Sequence, residues 1–203
     1  MSLPHKSTRH MLPVWSNLEQ SSEQRSLSVS DLRFPIGNFE AKSGLAEAQI
    51  RELIESLSQA PLGLRAAVGR LTPQQLDAPY RPDGWTARQV VNHVADSHLN
   101  GYVRFKFALT ENEPAVKPYD EKLWADLADA RTVEPQVSLH LLDALHLRWV
   151  TLLRSLGVED FARRLTHPEW GKQPLEMFLQ LYEWHGRHHT AHIMALRQRK
   201  GWY

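Results

Sequence analysis

Four of the eleven histidines lie within eight residues near the C-terminus, in the run YEWHGRHHTAHI. They form two H-x-x-x-H pairs, His185 with His189 and His188 with His192. Residues four apart lie on the same face of a helix, one turn above the other. Either pair could therefore give two imidazole nitrogens to one divalent metal ion, as paired histidines do in helical metal motifs. A tight site needs a third ligand from elsewhere in the chain.

The candidates for this third ligand are His93, His98, His146 and His167. His93 is the best placed, because it lies in the middle of the predicted helix ARQVVNHVADSHLNGYVRF. It belongs to a polar stripe that also contains Gln89, Asp96, Asn100 and Arg104. The stripe borders an apolar face, so it could line a cavity inside a helical bundle or simply face water.

The composition limits the ligands and the partners. Cysteine is absent, so a metal would have to be held by nitrogen and oxygen atoms. Lys+Arg 24 against Asp+Glu 23 leaves no basic excess of the kind that nucleic-acid binding requires. No stretch approaches the roughly 20 apolar residues that span a bilayer. The N-terminus also lacks the apolar core of a secretory signal. We therefore expect a cytoplasmic protein with no nucleic-acid or membrane partner.

The elements that must position these histidines are helices. Residues 1–30 are rich in serine and lack a periodic apolar face, which predicts a flexible N-terminal extension before a domain over residues 31–203. Apolar residues recur at helical spacing in four segments of that domain. These segments are 47–69, 86–109, 138–156 and 174–199.

Local signals refine these four helices. Pro61 interrupts the first helix, and Thr86 with Gln89 forms a capping box at the start of the second. No segment alternates like a strand. The pattern therefore predicts an all-α four-helix bundle. The loop after the second helix is long enough to be a crossover connection rather than a link between neighbours.

Several stretches resemble the YfiT-type branch of the DinB superfamily, and the resemblance covers residues 31–203. They are YRPDGWTARQVVNHVADSHLNGYVRFKFALTENEPAVKPYDEKLW, LHLRWVTLLRSL, HPEW and YEWHGRHHTAHI, in that order. The resemblance implies a four-helix bundle of unusual connectivity, a homodimer and one divalent metal ion. It also implies three histidine ligands, one from the second helix and two from an H-x-x-x-H pair on the last. Carried over by position, these are His93, His188 and His192.

Other side chains then become candidates for the surrounding pocket. His189 would line the pocket next to the ligands, and Asp96, one turn beyond His93, could act as a general base or orient a ligand. Arg104, His146 and Trp184 could bind a substrate or cofactor. The plainer alternatives are that Asp96 and Arg104 are surface residues, and that His146 and Trp184 belong to the core.

Members of this family branch are described as metal-dependent hydrolases, and related members as bacillithiol S-transferases. Three imidazoles leave a zinc or nickel ion with an open position, which could activate water for hydrolysis or hold a thiolate for transfer. Because the ligands suit both reactions, the resemblance decides the expectation, and it implies a metal-dependent hydrolase that acts on a small-molecule substrate. The alternatives are a transferase that uses a low-molecular-weight thiol, and a metal-binding stress protein without turnover.

Overall fold

A computed structural model describes residues 32–203 of the protein. The predicted flexible extension over residues 1–30 lies outside the described residues. The helices are α1 Glu47–Ser58, α2 Ala60–Val68, α3 Pro73–Leu76, α4 Ala87–Thr110, α5 Glu121–Ala125, α6 Ala128–Thr132, α7 Pro135–Arg154 and α8 Leu175–Lys200. A 3-10 turn over Val158–Ala162 leads into a hairpin of β1 Arg164–His167 and β2 Gly171–Pro174. None of the helices in this part of the chain is long and apolar enough to cross a membrane.

The first predicted helix is broken into α1 and α2 at Gln59, close to Pro61. Pro61 occupies the first turn of α2, where a missing backbone N–H costs little. A continuous helix would have paired that N–H with the carbonyl of Leu57, four residues earlier. Because proline cannot donate, the carbonyl of Leu57 lacks the backbone hydrogen bond that a continuous helix would give it from four residues later.

The start of α4 agrees with the predicted capping box. Thr86 Oγ1 accepts a hydrogen bond from the Gln89 backbone N–H, and Gln89 Oε1 accepts one from the Thr86 N–H. The Gln89 side chain also donates to the carbonyl of Ala125, 2.8 Å away at the end of α5. The cap therefore fixes both the first turn of α4 and the segment that covers it.

The bundle is formed by the α1–α2 pair, α4, α7 and α8, which confirms the predicted all-α fold. The α1–α2 pair and α4 each pack against both α7 and α8, so α7 and α8 occupy opposite corners. The connections that cross the bundle are therefore α2 to α4 and α7 to α8. The segment between α4 and α7, which was predicted to cross, instead joins neighbours, and its short helices α5 and α6 pack on α4.

The β-hairpin before α8 was not predicted. Its strands pair antiparallel from Arg164 opposite Pro174 to His167 opposite Gly171, and Gly171 turns the chain with a φ of 66°. The strands are only four residues long, and β2 has no alternation of exposed and buried positions. Such a strand gives no period-two signal in the sequence.

Candidate metal centre

Three histidine side chains from two helices converge inside the bundle. They are His93 from α4 and His185 and His189 from α8, and each offers a ring nitrogen within 4.8 Å of the others. His185 and His189 are one turn apart, so both rings lie on the same face of α8, against α4. His93 and His189 are buried, and His185 is half-buried.

The spacing of these rings fits a bound cation. The Nε2 atoms of His93 and His185 are 3.1 Å apart. Two lone pairs at that separation repel each other, so either a proton or a metal ion must lie between them. Zinc–nitrogen bonds of about 2.0–2.1 Å in a tetrahedral arrangement place two ligand nitrogens about 3.3 Å apart. The three imidazoles therefore suit a divalent ion that prefers nitrogen ligands, and the separation of the His93 and His185 nitrogens is close to the spacing that such an ion needs.

The surroundings keep these imidazoles uncharged. Burial lowers the pKa of His93 to about 4. Burial, together with repulsion from neighbouring rings, lowers the pKa values of His185 and His189 well below the ordinary value of 6.5. A histidine must be neutral to bind a metal, so at neutral pH all three are already in the form that a ligand requires.

This trio differs from the predicted ligands His93, His188 and His192 in two members. Residues of a helix are spaced by about 100°, so the 188/192 pair points roughly 60° away from the 185/189 pair. His188 stacks on Trp184, with ring centroids 4.2 Å apart. His192 has both ring nitrogens within hydrogen-bond distance of other groups, the Arg33 carbonyl at 3.1 Å and His189 Nδ1 at 3.4 Å. The structure therefore brings the first pair, rather than the second, to His93.

The histidine cluster forms one wall of a cavity of about 420 Å³. Aromatic side chains form much of the remaining wall, and they come from the turn before α4, the segment between α4 and α7, the hairpin and α8. The lining residues include Trp85, Ser97, Arg104, Tyr119, His167, Trp170, Tyr182 and Trp184. Trp184 and Arg104 thus lie at the cavity, as the sequence analysis expected.

Arg104 places a positive charge in this cavity. Its residue exposure is only 8%. Its guanidinium donates to the Tyr182 hydroxyl at 3.0 Å and reaches the Lys117 carbonyl. Within the described part of the chain, no carboxylate forms an ion pair with it. The cavity therefore combines the positive charge of Arg104 with the neutral rings of the histidine cluster.

Two other predicted site residues lie outside the cavity lining. Asp96 is half-buried, and its desolvation together with the charge of Asp129 raises its pKa to about 6. Its predicted role as a general base stays a prediction. His146 is buried on α7 behind His98, and its ring does not reach the cavity in which it was predicted to bind substrate or cofactor.

The hairpin adds two cavity residues whose position the sequence did not reveal. His167 and Trp170 stack with ring centroids 4.3 Å apart and an interplanar angle of 17°. His167 was considered only as a possible metal ligand, and Trp170 was not singled out. The HPEW sequence that contains both residues is the signal that could have indicated this pair, because the turn of the hairpin brings their rings together.

Comparisons with known proteins agree with this architecture. The model of the DinB superfamily matches residues 48–193. A protein of Bacillus cereus (strain B4264), named "putative metal-dependent hydrolase", is 51% identical over 174 residues, which is 86% of this chain and all of the relative. A relative with the same name from Bacillus thuringiensis subsp. konkukian (strain 97-27) is 50% identical over the same length.

A solved structure is also similar. YfiT from Bacillus subtilis, described as a probable metal-dependent hydrolase with an unusual four-helix bundle topology, superposes with a TM-score of 0.83 at 47% identity. The match covers 85% of this chain and 99% of YfiT. The fold, the clustered histidines and these relatives lead to one conclusion: the chain belongs to the DinB superfamily.

Proposed function

We propose that the protein is a metal-dependent hydrolase in which His93, His185 and His189 hold one divalent ion. The observation that carries the proposal is the convergence of these three neutral rings at a cavity large enough for a small molecule. The names of the relatives support the same reaction class. Three protein ligands leave an open position, which is typical of catalytic zinc sites and not of structural ones.

The ion would supply the reactive hydroxide, since metal coordination lowers the pKa of water from about 15.7 to about 7. The side chains of the cavity bind and orient the substrate. Arg104 attracts an anionic group, because its charge is buried and has no carboxylate partner among the described residues. Trp85, which packs on His93 with centroids 4.5 Å apart, and Trp184 supply flat apolar walls that exclude water. We therefore propose a small substrate with an apolar body and an anionic group.

Alanine substitutions test the ligand assignment. His93→Ala, His185→Ala and His189→Ala should each lose the single equivalent of zinc or nickel that the wild-type protein retains, measured by elemental analysis after dialysis. His188→Ala is the matched control, because it removes a neighbouring imidazole on the same helix. Retained metal in His185→Ala together with lost metal in His188→Ala would reject this trio in favour of His93, His188 and His192.

A thiol S-transferase remains the alternative, because the open position and Arg104 would also suit a thiol that carries a carboxylate. In that reaction the thiolate displaces chloride from a chlorinated aromatic compound. Product formation only in the presence of added thiol would favour transfer, whereas metal-dependent ester hydrolysis without thiol would favour the hydrolase. Metal binding without turnover in either assay would favour the non-catalytic stress protein. A homodimer and a cytoplasmic location stay predictions.

A further inference from the structure

His185 is the end of a chain of histidine rings that runs away from the cavity into the core. Its Nδ1 lies 3.3 Å from His98 Nε2. His98 Nδ1 lies 2.8 Å from His146 Nε2, and His146 Nδ1 lies 3.1 Å from the carbonyl oxygen of Leu57. His98 and His146 are both buried, with exposed fractions of 0% and 3%.

The carbonyl at the end gives this chain a direction. A carbonyl can only accept a hydrogen bond, so the proton of neutral His146 must be on Nδ1. His146 Nε2 then accepts from His98 Nδ1–H, and His98 Nε2 accepts from His185 Nδ1–H. The remaining nitrogen of His185, Nε2, is left with its lone pair. This is the atom that lies 3.1 Å from His93 Nε2 in the histidine cluster.

His189, the second proposed ligand on α8, has a shorter chain of hydrogen bonds, which also ends at a backbone carbonyl. The Arg33 carbonyl lies 3.1 Å from His192 Nε2, which must therefore carry the proton. His192 Nδ1 is then an acceptor for His189 Nδ1–H at 3.4 Å, a long contact. The result is again a lone pair on Nε2, here of His189. Both nitrogens of His192 therefore form hydrogen bonds, and the residue supports His189 rather than binding the metal itself.

The sequence leaves the Leu57 carbonyl available to His146. Pro61 removes the backbone N–H that would otherwise occupy the Leu57 carbonyl, so the carbonyl can accept from His146. Gly186 allows α8 to pack closely on the start of α2, since a Cβ there would lie only 3.0 Å from Ala60 Cβ.

We propose that the Leu57 and Arg33 carbonyls, acting through His146–His98 and His192, fix the tautomers of His185 and His189 so that each presents Nε2 to the metal. The proposal rests on the proposed metal site. It makes His98, His146 and His192 positioning residues. Ligand histidines commonly donate their second N–H to a carboxylate, a carbonyl or water, and here neutral histidines take that place.

Breaking the longer chain should weaken metal binding. In His146→Leu, the core keeps an apolar side chain, but His98 loses its acceptor and the tautomers of His98 and His185 are free to reverse. Partners of this kind typically change metal affinity by about 10–100-fold. We therefore expect Zn²⁺ to bind His146→Leu about 10–100-fold more weakly than the wild type, in competition with a chromophoric chelator.

Two further variants separate positioning from general damage. His146→Gln retains one acceptor and one donor, so it should recover most of the affinity lost in His146→Leu. His140→Leu removes an exposed imidazole from the same helix and should bind Zn²⁺ like the wild type. Circular dichroism and thermal melts confirm that each variant is folded before its affinity is compared.

Nitrogen-15 NMR of the metal-free wild-type protein tests the tautomers directly. Long-range ring correlations should show protons on Nδ1 and none on Nε2 for His98, His146 and His185. His189 should show the same pattern and His192 the reverse. In folded His146→Leu, His185 should lose its single tautomer.

The results also distinguish this proposal from the proposed function. A wild-type protein that binds no Zn²⁺ would reject the metal site, while the NMR spectra would still decide the tautomers. Normal Zn²⁺ affinity in folded His146→Leu, or a proton on His185 Nε2 in the metal-free wild type, would overturn the proposed control of the tautomers. Neither result would contradict the proposed metal site.

Discussion

Arg104 is the residue that best defines what the cavity can accept. Its guanidinium is buried on α4 and contacts the Tyr182 hydroxyl, with no ion-pair partner in the described residues. A buried charge without a counter-charge is costly, so it favours a ligand that brings one. A carboxylate could form charge-assisted hydrogen bonds there, each worth about 1.5–3 kcal/mol.

We expect Arg104→Met to weaken binding of a simple dicarboxylate, malonate, by about 10–100-fold, which corresponds to about 1.4–2.8 kcal/mol. The titration can be followed by tryptophan fluorescence, since Trp85 and Trp184 line the same cavity. Arg148→Met, which removes an exposed arginine on α7, should bind malonate like the wild type. Equal affinities for all three proteins would contradict the role of Arg104.

For single residues, the sequence indicated a cluster of histidines but not which of their rings converge. The two H-x-x-x-H pairs and His93 predicted a histidine metal site, and the structure brings three of these rings together. The choice between the pairs depends on the rotation of α8 about its axis, by roughly 60°, and contacts with residues distant in sequence decide that rotation. The contacts of His98 with His146 and His185 were not predicted, because a histidine that lies between two other rings has no pattern of its own along one helix.

Helix packing brings the clustered histidines of α4 and α8 close together, and Gly101 allows the close approach of the helices. A Cβ at this position of α4 would lie 2.6 Å from Tyr182 Cζ and 2.7 Å from Trp149 Cη2. Both rings belong to the buried core. Any larger residue would push α4 away from α7 and α8 and separate His93 from His185 and His189.

We expect Gly101→Ala to lower the free energy of unfolding by about 1–3 kcal/mol, the usual cost of overpacking a core. Gly63→Ala in α2 is the matched control, because its Cβ would meet nothing closer than 3.9 Å. Alanine there should stabilise the helix by up to about 1 kcal/mol. Urea unfolding measures both, and a stabilised Gly101→Ala would show that α4 tolerates the added carbon.

The helices were predictable where local chemistry sets their ends. The capping box at Thr86 and the break near Pro61 both follow from side-chain and backbone chemistry within a few residues. The path of the segment between α4 and α7 could not be predicted from its length, because a long segment can cross the bundle but can also join neighbouring helices. Contacts of α5 and α6 with α4 decide the path, and those contacts are between residues distant in sequence.

Across the whole molecule, the buried histidines make stability depend on pH. Burial lowers the pKa of His146 to about 4 in the folded protein. The unfolded chain has the ordinary value of about 6.5 and so binds more protons between these two values. The free energy of unfolding therefore falls as the pH falls from about 6.5 towards 4, by up to about 1.4 kcal/mol per pH unit for each such histidine.

We expect the metal-free wild-type protein to lose more stability between about pH 7.5 and about pH 5 than His146→Gln, whose side chain cannot take up a proton. Urea unfolding at the two pH values gives the comparison. His140→Gln should behave as the wild type, because its imidazole is exposed. An identical loss in the wild type and His146→Gln would mean that His146 already takes up its proton in the folded state.

The contact between His192 and the carbonyl of Arg33 has a practical consequence for defining this domain. The matched family region starts at residue 48, fifteen positions after Arg33. The segment before α1 is also held to α8 by a reciprocal pair of hydrogen bonds between Gln180 and the backbone of Lys42. A shortened protein that starts at the family boundary would still contain all three proposed ligands. It would lack the Arg33 carbonyl, which contacts His192 behind His189.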